Sequence, residues 1–221
     1  MKKLIIFDMD GVIFKDTNFW IELHKAYGTW KEGKELTKKY IKTNYEKLVK
    51  EVIGKLWKDK PAEVYFDLIK KARYVKGVKE TFVVLKSKNY KIAIISSGPR
   101  DLAKRAQDEL DIDYIYANHL QIEGNKVSGL TDMRNWPLRN DNKGEIMRKL
   151  CDEHNISYKD CIVVGHEDND MKMARTAGLA IAFCPKDEEI KKYCNIVIDK
   201  NDLTLILKPV EEFENRKQLI I

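Results

Sequence analysis

The sequence predicts an α/β fold with a parallel central sheet, a helical insertion after the first strand and a small β-hairpin. Three observations carry this. Short apolar runs recur at residues 4–7, 92–95, 162–164, 180–183 and 196–198, each reading as a strand covered on both faces. Amphipathic segments lie between most of them, which implies parallel strands joined by right-handed crossovers. A long stretch, residues 17–75, interrupts the alternation with helical character and no convincing strand.

The first strand runs straight into Asp8-Met9-Asp10-Gly11. Residues i and i+2 of an extended segment point the same way, so Asp8 and Asp10 crowd one place. Carboxylates are costly to bury without a partner. A divalent cation is the simplest partner; an acidic turn is the competing reading of these residues alone.

The insertion that follows contains Trp20, Trp30, Trp57, Tyr27, Tyr40, Tyr45, Tyr65 and Phe66. Most of these aromatics read as helical core packing, with Trp20, close after Asp10, placed to face the site. Residues 77–89 carry Val78, Phe82 and Leu85 at helical spacing, and residues 101–110 and 143–154 follow the same logic. Residues 114–116 and 126–128 flank Gly124-Asn125, which reads as a hairpin turn. Ala177-Gly178 reads as a helix C-terminus with a left-handed glycine. The expected organisation is a core of residues 1–16 and 76–208, a helical cap of residues 17–75 and a C-terminal extension of residues 209–221.

Charge and cysteine content narrow the function. The 41 basic residues face 35 acidic ones and are scattered, which reads as a solvated surface and argues against nucleic acid. Four cysteines show no C-x-x-C spacing, so free thiols in a reducing cytoplasm are expected. The N-terminal apolar run is too short for a signal peptide, and no run approaches membrane-spanning length. A monomer or homodimer is expected.

Ligands of open parallel sheets gather at the carboxyl ends of the strands. After the first strand come Asp8 and Asp10; after the second, Ser96-Ser97-Gly98-Pro99, opening a helix with Pro99 at its first position. Hydroxyls and free N–H groups at a helix start make an anion site. After the third strand comes the acidic loop Gly165-His166-Glu167-Asp168-Asn169-Asp170, and Lys143 begins a helix just before that strand. Together these describe a site for phosphate and metal.

On these residues the sequence resembles the haloacid dehalogenase (HAD) superfamily, in its phosphoserine phosphatase-like branch. Asp8 to Val12 match the first motif, Ile94-Ile95-Ser96 the second, Lys143 the third and residues 165–170 the fourth. The resemblance implies a Rossmann-like HAD core with a C1-type cap. It implies a magnesium-dependent phosphatase, Mg²⁺ being replaceable by Mn²⁺ or another divalent cation, acting on a small phosphorylated metabolite. Asp8 is then the nucleophile that forms an aspartyl-phosphate, and Asp10 the general acid and base. Ser96, with Ser97 and Gly98, holds the phosphoryl oxygens. Lys143 neutralises charge on Asp8 and phosphate, Asn169 touches phosphate or nucleophile, and Asp170 braces Lys143 and metal-bound water. Asp8, Asp10, His166 and Asp170 are the implied metal ligands.

Two departures shape the expectation. His166 stands where the family places an aspartate ligand, and imidazole suits manganese, zinc, nickel or iron better than magnesium. Either His166 ligates a softer metal, or Glu167 or Asp170 reaches the ion while His166 turns away, or metal binding is weak. The branch also uses a Glu and a cap Arg to hold the amino-acid substrate. Here Thr17, beside Asp16, stands at the Glu position, and no arginine precedes Arg73. Lys47 or Lys50 in the Arg role lacks a planar fork. The expected substrate is therefore a small phosphomonoester other than phosphoserine, phosphocholine in an aromatic cage being one case. Phosphoryl transfer to an alcohol and a feebly catalytic binding protein are the alternatives. Arg134, Trp136 and Arg139 either reach substrate or, as the plainer reading, anchor their loop, and the Leu219-Ile220-Ile221 end reads as a docking segment.

Overall fold

A computed structural model of the 221-residue chain describes residues 3–15, 18–139 and 142–218. Six strands form one parallel sheet in the order β3-β2-β1-β6-β7-β8: β1 (Lys3–Phe7), β2 (Tyr90–Pro99), β3 (Tyr114–Asn118), β6 (Cys161–Gly165), β7 (Leu179–Phe183) and β8 (Ile196–Ile198). The remaining strands, β4 (Ile122–Glu123) and β5 (Lys126–Val127), make a separate antiparallel hairpin. The apolar runs are strands because both faces of the sheet are covered. In β1, Ile5 and Phe7 pack into one core, while Leu4 and Ile6 pack into another with Met147 and Leu150. Those two methionine- and leucine-bearing turns belong to α7 (Lys143–His154).

Residues 114–116 differ from the hairpin arm expected of them. Tyr114, Ile115 and Tyr116 pair in parallel with Ala93, Ile94 and Ile95 of β2. A β-prone Tyr-Ile-Tyr directly after α6 (Arg100–Leu110) completes a crossover before the chain turns back. The Gly124 turn remains, with φ +58°, but its arms are two residues each. Gly178 also differs. It is not left-handed; its N–H donates to the carbonyls of Tyr158 and Cys161, each at 3.0 Å. Glycine stands there because a Cβ would overlap the Lys159 carbonyl. Pro99 caps α6 from outside rather than opening it.

Between β1 and β2 the chain forms α1 (Phe19–Ala26), α2 (Trp30–Tyr40), α3 (Tyr45–Glu51), α4 (Ala62–Lys71) and α5 (Val78–Ser87). α3 continues into a π-helical turn, Val52–Leu56, closed by Trp57 N–H to the Val52 carbonyl at 2.9 Å. Trp57 and Tyr65 are fully buried, in keeping with core packing, whereas Phe66 is exposed. The Arg105 guanidinium on α6 donates to the Ile69 and Ala72 carbonyls at 2.6 and 2.9 Å, satisfying the open C-terminus of α4. The hairpin is tied to the same segment, Asp59 N–H donating to Val127 O and Ala62 N–H to Asn125 O. The chain after β8 ends in α10 (Leu207–Gln218); Leu219, Ile220 and Ile221 lie outside the described residues. Short helices α8 (Met171–Ala174) and α9 (Glu188–Lys191) flank β7. Among the described residues no helix is long and apolar enough to cross a membrane.

Replacing Gly178 tests the close approach. Gly178→Ala is expected to cost about 1–3 kcal/mol, the usual range for overpacking, read as a lower urea midpoint at an unchanged slope.

Candidate active site

The site lies where the sheet order reverses. From β1 the chain moves to β2 and β3 on one side and later to β6, β7 and β8 on the other. A crevice opens at the carboxyl ends at such a point. Asp8 is the first residue past β1, its N–H still donating to the Val164 carbonyl of β6 at 3.0 Å. Its Oδ1 accepts from the Met9 N–H at 2.7 Å and from Lys143 Nζ at 2.9 Å. Oδ2 accepts no hydrogen bond among the described residues.

Lys143 is fully buried at the start of α7. Its ammonium also meets Asp170 Oδ1 at 2.7 Å. Burial alone would lower the amine's pKa, but Asp170 and Asp8 outweigh it and hold Lys143 well above the ordinary lysine value. The other oxygen of Asp170 accepts from the His166 and Glu167 N–H groups at 2.8 and 3.2 Å. Asp170 is therefore committed on both oxygens, as a brace for the lysine. Lys143 is thus a buried member of the cluster and not the surface lysine that a lysine at a helix start would suggest by itself.

Asp10 is held from the other side. The Phe19 N–H, first in α1, donates to Asp10 Oδ2 at 3.2 Å. Burial, then the charge of Asp8, push its carboxyl up to about 7. The anion loop faces it. Ser96 Oγ accepts from the Gly98 N–H at 3.1 Å, and a Cβ on Gly98 would collide with Met9 Cε at 2.6 Å while standing 3.8 Å from Asp10 Oδ1. Glycine lets the loop pass this close without displacing the Met9 side chain. Ser97 is fixed through its carbonyl, which accepts from Trp20 Nε1 at 2.8 Å and Asn118 Nδ2 at 2.9 Å.

Asn118 was not singled out by the sequence. It is fully buried at the end of β3 and bridges two loops, donating to Leu138 O at 2.8 Å and accepting from Leu138 N–H at 2.9 Å. Its only sequence signal is a polar residue closing an apolar strand. Trp136 was read as a loop anchor; it is buried against Trp20, ring centroids 5.2 Å apart, and lines a cavity beside Ser97 and Asn169. Arg134 is fully exposed with Asp132 as its ion-pair partner. Asp16 and Thr17 lie outside the described residues.

The donor set at this edge suits a cation. Asp10 Oδ1 and His166 Nε2 are buried without a partner, as is Asn169 Oδ1. His166 Nδ1 lies 3.1 Å from the Phe183 carbonyl. A carbonyl only accepts, which assigns the ring proton to Nδ1 and leaves a bare lone pair on Nε2. A backbone carbonyl behind an imidazole is the usual support for a metal-ligating histidine. That ring packs against Gly11, whose φ of +74° and lack of a Cβ make the space. Glu167 is engaged with Lys186 and in the turn that caps Asp170. Among the described residues no three His, Cys, Asp or Glu side chains form a ready-made metal cluster. Magnesium does not need one, since it keeps several waters beside one or two carboxylates.

Comparisons with known proteins bear on this geometry. The family model described as haloacid dehalogenase-like hydrolase matches residues 2–178. A phosphoserine phosphatase of Methanocaldococcus jannaschii is 34% identical over 212 residues, covering 95% of this chain and 98% of its own length. One from Archaeoglobus fulgidus is 30% identical, covering 97% of this chain and 62% of its own length. Among solved structures, a phospho-aspartyl intermediate analogue of phosphoserine phosphatase superposes with a TM-score of 0.79 at 33% identity, over 94% of this chain and 98% of that one.

Removing the buried amine is expected to be costly for the fold itself. Lys143→Met leaves Asp8 and Asp170 buried without their cation and should lower stability by about 3–5 kcal/mol, measured by urea unfolding. An unchanged midpoint would contradict the assignment of that cluster as ionised.

Proposed function

The chain belongs to the haloacid dehalogenase-like hydrolases, and from that membership we propose a metal-dependent phosphatase that hydrolyses a small phosphomonoester through an aspartyl-phosphate. It is phosphoserine phosphatase-like without being specific for phosphoserine. One observation carries the reading: Lys143 joins Asp8 to Asp170 at the sheet's switch point, directly below the Ser96–Gly98 anion loop.

The residues divide the work as follows. Asp8 Oδ2 attacks phosphorus and the ester P–O bond breaks. Asp10, its Oδ1 turned toward the Gly98 loop, gives its proton to the leaving alcohol oxygen. Water then attacks phosphorus, Asp10 takes its proton, and the bond to Asp8 breaks to release phosphate. General acid–base help of this kind is typically worth about 10²–10⁴-fold. Ser96, Ser97 and Gly98 hold phosphoryl oxygens, and Asn169 offers its amide to the same group. The Lys143 ammonium offsets the charge gathered on Asp8 and the phosphate.

Asp8 and His166 would hold the divalent cation directly, with Asp10, whose carboxyl is kept for the proton, and Asp170, held by Lys143, meeting it through bound water. When bound, the ion offsets repulsion between a carboxylate nucleophile and an anionic ester. Magnesium is the family's habit; a nitrogen in the donor set moves the preference toward manganese. The relatives' printed names are those of phosphatases, so phosphoryl transfer and a binding-only role are not favoured. A cytoplasmic setting agrees with four cysteines that form no disulfide.

Two measurements check this reading. Phosphate release from para-nitrophenyl phosphate is expected in the wild-type protein and at least about 10²-fold slower in Asp8→Asn; equal rates remove the nucleophile. After chelator treatment, Mn²⁺ affinity read by electron paramagnetic resonance should exceed Mg²⁺ affinity by competition. His166→Asp should narrow that gap by about tenfold, or 1.4 kcal/mol; an unchanged gap shows that His166 does not touch the ion.

A further inference from the structure

The cavity beside the anion loop says what kind of alcohol leaves. It measures about 470 Å³, within the span of small-ligand pockets. That is roughly fifteen water volumes at about 30 Å³ each, far more than the organic part of phosphoserine fills. Ser97, Glu167 and Asn169 form its end nearest the reacting atoms. Past them the wall is aromatic and aliphatic. Trp20 bridges Trp136 and Trp57, with ring centroids at 5.2 and 5.8 Å, and Val49, Ile53 and Tyr45 are among the residues that continue the lining.

Charge is nearly absent from that wall. The histidine there, His24, is neutral: burial lowers it to about 4, and its Nδ1 lies 3.2 Å from the Trp57 indole N–H, which donates to it. Glu167 already has Lys186 as its ion partner. Lys34 and Lys38 sit at the exposed rim. Among the described residues, then, the lining has no guanidinium for a carboxylate and no uncommitted acid for an ammonium. Two rim lysines also repel a quaternary ammonium, which argues against phosphocholine.

We propose that this cavity takes the organic part of a phosphomonoester whose alcohol is uncharged and apolar, an arylalkyl group packing on the Trp20 indole, which the buried Trp57 and Trp136 rings back, and on the aliphatic wall. The assignment rests on the phosphatase reading and names its substrate class. Aromatic faces in contact add to the area they bury, and Trp20 couples the wall to the phosphate end through its bond to Ser97.

The test uses binding to the full-length Asp8→Asn protein, read by tryptophan fluorescence, with three probes: 2-phenylethyl phosphate, phosphoserine and phosphocholine. The arylalkyl ester is expected to bind about tenfold or more tighter than either of the others. Equal or weaker binding overturns the assignment. Ile41→Asp, on the same wall, is expected to weaken the arylalkyl ester by about tenfold; Thr37→Asp, at an exposed wall position, gives the same reading should the first variant not fold. Undiminished affinity in the folded variant overturns it. Turnover by the wild-type protein is scored apart. Arylalkyl preference without phosphate release would defeat the phosphatase reading, while release without that preference would defeat only the substrate class.

Discussion

One buried cation organises this molecule. Lys143 has no solvent and two carboxylate partners, Asp8 and Asp170. Desolvating three charges is expensive, and the arrangement is tolerable because each carboxylate finds further donors. Met9 N–H shares Asp8, and the His166 and Glu167 N–H groups share Asp170. The cluster thereby locks three segments distant in sequence: the end of β1, the start of α7 and the loop after β6. A carboxylate fixed this way has little freedom left to lose, which is the positional advantage its proposed role as nucleophile would exploit.

The sheet makes that cluster possible. Parallel strands put all their carboxyl ends on one edge, and the jump from β3 across to β6 leaves a gap above β1. Around it sit the first turns of α1, α6 and α7, whose free N–H groups favour negative charge. The edge therefore carries two opposed demands, a cluster of acids and a place for an anion. Asp10 Oδ1 and His166 Nε2 are acceptors left unpaired where those demands meet.

Much of this was legible in the sequence because the signals are local. Asp8, Asp10, Ser96, Gly98, Lys143 and Asp170 follow or open regular elements, so the strand-end rule places most of them at one edge, and the family resemblance adds Lys143. What was not legible depends on contacts between segments far apart. Tyr114–Asn118 joins the main sheet because a neighbouring strand was exposed there, which no window of residues shows. Gly178 is required by the Lys159 carbonyl, not by its own φ. Asn118 and Trp136 act across loops, and a lone Asn or Trp in a loop reads as an anchor. His166 is visible as a substitution, but its tautomer follows only from the Phe183 carbonyl.

The π-helical turn at Val52–Leu56 has an evolutionary corollary. An α-helix turns about 100° per residue, 3.6 residues completing each circle, so one surplus residue rotates all that precedes it relative to all that follows. Because helix and bulge run together from Tyr45 to Leu56, losing a single codon in that bulge would swing a different stripe of side chains into view. Descendants of this chain could thus exchange one clientele for another by a change in length, with the Asp8 and Asp10 carboxylates left undisturbed.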